Sequence, residues 1–145
     1  MSAREKILSR ILAVLEAAGT GGKVVRNAVD YTASMCPIVA LLDGDEEAHE
    51  DTQAFGHGRF PNAPTLMAMR PEIWLLVEGN PATVGPALNG LRDVVLSALS
   101  NDAQLIGLVH NKDIRYEGCT TALGAGRTLT GEMNLHLRFV YTHRT

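Results

Sequence analysis

The sequence predicts an α+β domain: a mostly antiparallel sheet with two amphipathic helices packed on one face. Three observations predict it. From Gly131 to Tyr141 apolar and polar residues alternate strictly, with Met133, Leu135, Leu137, Phe139 and Tyr141 on one side. A period of two places one face of a strand on a core. Ile7, Leu8, Ile11, Leu12 and Leu15 recur at helical spacing, as do Leu88, Leu91, Val95 and Leu99. The elements then run helix, strands, helix, strands, the order of an α+β layer.

Ser2 with Glu5 three residues later is a capping-box pattern that opens the first helix, and Gly19, Gly21 and Gly22 close it. Each fully buried Leu or Ile on its apolar stripe contributes roughly 1.5–3 kcal/mol, so the helix is held by the sheet it covers. Val24, Val25 and Val29 suggest a short extended piece. Ile38–Leu42 is a strand entered through Cys36-Pro37 and closed by Asp43-Gly44. Residues 44–62 are expected to be one long polar loop. Thr65–Glu78 is extended again, either as two strands meeting at Pro71 or as one long strand bulged at Arg70-Pro71. Gly79-Asn80-Pro81 turns the chain, Thr83 is the expected cap of the second helix, and Val94 joins its apolar stripe. Asn101-Asp102 ends that helix. Ile114–Glu117 reads as a modest strand, and Gly118, Gly124 and Gly126 as the turn into the last one. That last strand is expected in the middle of the sheet, with Met133, Leu135, Leu137 and Phe139 meeting both helices.

Composition bounds the function. A chain of 145 residues, 46% apolar and 20% charged, fits a single soluble domain spanning 1–145. A formal net charge of −3 speaks against general nucleic-acid binding, which needs a cationic surplus. Cys36 and Cys119 lie far apart with no partner motif and read as small core residues in a reducing compartment, the alternative being a disulfide that no motif supports. No apolar run reaches the roughly 18 residues of a spanning helix, and the N-terminus is not patterned as a signal peptide.

Chemistry-bearing motifs are sparse. The loop gathers His49, His57, Asp45, Glu47 and Asp51, ligand types a divalent cation uses, but in no metal-site spacing. His110, His136 and His143 lie on or beside strands. Gly124-Ala125-Gly126-Arg127 lacks the Lys-Ser/Thr pair of a phosphate loop, and neither cysteine has a neighbouring His to form a thiolate. No catalytic residue, metal or cofactor is therefore expected. The same loop carries Asp45, Glu46, Glu47, Glu50 and Asp51 beside Phe55 and Phe60, carboxylates that resist burial and aromatics suited to anchoring an interface. These are the expected subunit or partner contacts.

The layout resembles a family. Leu91, Val94, Val95, Leu99, Asp102, Leu105, Gly107, Leu108 and Val109 lead through Ile114 and Tyr116 to the last strand, Phe139-Val140-Tyr141. Before them stand the first helix, the strand at Cys36-Pro37-Ile38-Val39, and the acidic turn Leu42-Asp43-Gly44-Asp45-Glu46-Glu47. This is similar to the tail terminator and tail completion proteins of tailed bacteriophages, prophage and gene-transfer-agent members included. The resemblance implies a non-enzymatic virion protein, made in the host bacterial cytoplasm and incorporated in the tail. It would form a ring, typically a hexamer, that contacts the tail tube protein and the head–tail connector protein. DNA would pass the bore unbound, which mild acidity suits. Other readings are another neck or head-completion component, a small metal-dependent enzyme using the acidic His-containing loop, and a ligand-binding domain that dimerises through its sheet.

Overall fold

The fold is taken from a computed structural model that describes residues 1–28, 35–49, 65–124 and 129–143. Helix α1 (Ala3–Ala17) starts where the Ser2 hydroxyl accepts the Glu5 N–H. Only half of the expected capping box forms, because the Glu5 carboxylate turns away to Arg26. Gly19 and Gly21, at φ of 71° and 79°, then release the chain, a backbone conformation that glycine adopts without steric cost. Strand β1 (Lys23–Arg26) confirms the extended piece at Val24 and Val25, whereas Val29 lies outside the described residues. It pairs parallel with the strand that follows it in the chain, and the remaining pairings are antiparallel.

Strand β2 (Ile38–Ala48) overturns the expected loop start at Gly44. Asp45, Glu46, Glu47 and Ala48 pair with Arg70, Met69, Ala68 and Met67 of β3 (Thr65–Gly79). Gly44 makes this continuation feasible. It adopts φ +70°, and a Cβ there would stand 2.0 Å from the Arg70 carbonyl oxygen. The register slips between Leu42 and Asp45, so a bulge stands where a stop was expected. Residues 50–62 of the expected loop lie outside the described residues. β3 itself is one long strand, and its register with the last strand is the same on both sides of Pro71. The bulge that accommodates the proline is thus in β2, not at Arg70-Pro71.

Helix α2 (Val84–Ser100) begins at Thr83, but the threonine hydroxyl accepts from Asn80 N instead of capping the helix. Asn80 Oδ1 organises the turn by accepting from the Ala82 and Thr83 N–H groups at 2.9 and 3.1 Å. A short helix α3 (Ala103–Leu108) follows, capped by Asp102 and anchored by buried Leu105. Beyond a 3-10 turn, β4 (Ile114–Gly124) runs well past the expected end at Glu117, with Gly118 inside it at a second bulge rather than in a turn. β5 (Leu129–His143) completes a five-stranded sheet in the order β1-β2-β3-β5-β4, so the last strand is held on both sides as expected.

One core cluster joins Ile7, Leu8, Ile11 and Leu15 of α1, Leu88, Leu91, Val95 and Leu99 of α2, and Met133, Leu135, Leu137 and Phe139 of β5. Leu12 is only partly buried, with Val14 buried in its place, and Val94 lies on the exposed flank of α2. Among the described residues no helix is long and apolar enough to cross a membrane.

Candidate interaction surface

The bulge at Gly44 decides where the carboxylates of β2 point. Glu46 pairs with Met69 and so faces the helices, whereas Asp45 and Glu47 pair with Arg70 and Ala68 and face the other side of the sheet. Glu46 accepts a hydrogen bond from the Tyr141 hydroxyl and lies 3.7 Å from Arg4 Nε. Burial, then this hydrogen bond to a carboxylate, raises the Tyr141 pKa above the ordinary phenol range. Arg4 also donates to the Gly44 carbonyl at 2.6 Å, tying α1 to the bulge. Beside it, Arg26 donates to both oxygens of Glu5 and of Asp43 at 2.7–3.0 Å. Those charge-assisted bonds hold both carboxyls below their usual range, so α1, β1 and β2 share one polar clasp.

The second face of the sheet is different. Its floor near β2 and β3 is apolar: Ile38, Ala40, Leu42, Trp74 and Leu76 line a hollow of 260 Å³ with Glu132 at its rim. Towards β4 it becomes charged. Arg70 falls opposite Arg138 in the β3–β5 register, and Arg138 opposite Arg115 in the β5–β4 register, a row of three cations. Like charges placed so repel. Glu47 and Glu117 accept from Arg70, and Asp113 accepts from Arg115 at 3.0 Å, which offsets two of the three. The Arg70 hydrogen bond keeps Glu47 below the usual carboxylate range. Arg138 is 8% exposed and Asn134, four residues earlier on the same face, 7% exposed; among the described residues Arg138 Nε and Asn134 Oδ1 have no hydrogen-bond partner.

No family model matches this chain, and no curated protein matches it. The geometry therefore stands on its own. A second depression, of 480 Å³, is lined by Asp45, Arg70, Glu72, Glu117 and His136, and its described lining holds no serine, threonine, cysteine or lysine. Glu72 and His136 face each other across β3 and β5, with Glu72 accepting from the Trp74 indole at 3.3 Å. Among the described residues no three His, Cys, Asp or Glu side chains converge as a metal site requires. Asp45 and Glu47 of the candidate metal set lie on the second face, and His49 follows the end of β2; Asp51 and His57 lie outside the described residues.

Of the expected contact residues, the structure separates Glu46 from Asp45 and Glu47 by a full sheet thickness. Glu50, Asp51, Phe55 and Phe60 lie outside the described residues. The row Arg70, Arg138 and Arg115, and the apolar hollow around Trp74, escaped sequence reasoning. In sequence Asn134, His136 and Arg138 look like an ordinary solvated strand face. Only the strand order, which brings three strands' arginines into one row, gives them meaning.

Proposed function

We propose that this chain is a structural virion protein: a ring-forming tail terminator that caps the head-proximal end of the tail tube, stops its polymerisation and docks to the head connector. The observation that carries the reading is the second face of the sheet. Buried polar atoms without a partner cost about 1–3 kcal/mol each; among the described residues Asn134 Oδ1, opposite Trp74 of the apolar hollow, and Arg138 Nε, four residues further along the same face, are both in that state. A neighbouring subunit or the tail tube that fills the hollow, and to whose donors and acceptors these two side chains turn on docking, would relieve both costs. The described helices all pack on the opposite face. The fold also agrees with the layout that the family resemblance implies, and the net charge of −3 suits a bore that repels phosphate.

The test is particle production without the chain. Tails that outgrow their normal length, or that fail to join heads, are expected. Normal, infectious particles would overturn the reading.

A further inference from the structure

β4 forms one border of the sheet. Its inner edge pairs with β5 from Ile114 to Gly124, and its outer edge meets no strand among the described residues. A long free edge is a template for another chain, and proteins ordinarily blunt such edges by shortness, charge, Pro or a bulge. The opposite border shows those devices: β1 is four residues long and carries Lys23 and Arg26. β4 is eleven residues long; its charges, Arg115 and Glu117, and its bulge fall in the half up to Gly118, and from Gly118 to Gly124 it carries no charge and no Pro. On its helix-facing side Tyr116 is 43% exposed and Leu123 is 67% exposed.

We propose that β4 pairs antiparallel with β4 of a second copy, about a two-fold axis at Thr121, so that one continuous sheet spans both copies. The pairing of Cys119, Thr121 and Leu123 with Leu135, Met133 and Gly131 sets these three on the helix face. The proposed axis then places Thr121 against its own mate, Cys119 against Leu123 of the second copy, and Thr120 against Ala122. Every pair joins residues of the same face, as an antiparallel ladder requires. None opposes like charges, because Arg115 and Glu117 lie beyond the uncharged stretch. Leu123 of each copy is covered by Cys119 and brought towards Tyr116 of the other. β1 matches this edge less well, offering only four residues and two cations. An isologous contact closes on itself, so it is separate from any head-to-tail ring and can be measured apart from it.

A single strand pair belongs to the small, weak class of interfaces, so sedimentation of the full chain from about 5 to about 500 μM covers the relevant range. The expected result is a monomer–dimer equilibrium that Thr121→Lys weakens at least tenfold. In a Cys36→Ser, Cys119→Ser background, mild oxidation should link Thr121→Cys into dimers and leave Thr120→Cys, which faces Ala122, unlinked. The cysteine pair keeps the test intact if the lysine variant folds poorly. Monomers at every concentration, association unchanged by Thr121→Lys, or equal linking at both cysteine positions would each overturn the proposal, whether or not rings form.

Discussion

Gly44→Ala and Gly90→Ala are the same substitution in two environments, and the structure gives them opposite signs. At Gly44 the backbone is left-handed, which costs a side-chain-bearing residue about 1–2 kcal/mol before any contact is counted. The new methyl would also stand 2.0 Å from the Arg70 carbonyl oxygen, a backbone atom of the neighbouring strand that cannot swing aside. The β2–β3 ladder beyond the bulge must then shift, releasing the pairs from Asp45 to Ala48 and the hold of Arg4 on the Gly44 carbonyl. A total of about 2–4 kcal/mol is expected, within the range of severe single substitutions. Gly90 is exposed in the interior of α2, and a Cβ there meets nothing within 4 Å. Alanine should stabilise that site by about 0.5–1 kcal/mol. Urea unfolding of both variants and the parent, with unchanged slope, gives the two differences. A loss below about 0.5 kcal/mol at Gly44 would refute the bulge and, with it, the division of carboxylates between the two faces.

Leu135→Ala and Leu91→Ala remove side chains that face each other's elements in the core cluster and should each cost about 2–5 kcal/mol in the same assay. Arg10 donates to both oxygens of Asp102 at 2.6 and 2.8 Å, and with the Leu105 N–H it lowers the Asp102 pKa from 3.8 to about 2. A lowered carboxyl pKa stabilises the fold above the unfolded value, so this contribution should vanish as pH falls from about 4 to about 2. The acid limb of a stability–pH curve should flatten there in Asp102→Asn. Tyr141, raised by burial and by Glu46, binds its proton more tightly when folded, so its contribution is complete below pH 10 and is lost as pH climbs past it. Tyr141→Phe should remove that part of the alkaline loss, read by thermal melts from pH 9 upward.

Long, strongly periodic segments were legible in the sequence because their pattern is the packing itself. The stripe from Ile7 to Leu15 and the alternation from Met133 to Tyr141 have few ways to be satisfied other than by one core. Short or locally decided features were not. α3 is six residues long, too short for periodicity, and its one signal was Asp102 three positions before Leu105. The far half of β2 was hidden because Asp43-Gly44 has the composition of a turn, and only the approach of the Arg70 carbonyl makes that glycine a bulge. Gly118 misled in the same way within β4. The arginine row depends on which strands are neighbours, a long-range property that residue order does not express.

On the proposed function, this chain forms a ring on the tip of the tail tube. Electron microscopy of the purified chain mixed with tail tubes lacking it tests that most directly. Rings, six-fold by the family resemblance, are expected at one end of each tube, with tubes that no longer extend when more subunits are added. Bare tube ends that keep growing, with the chain present only as free monomers or two-fold dimers, would contradict it.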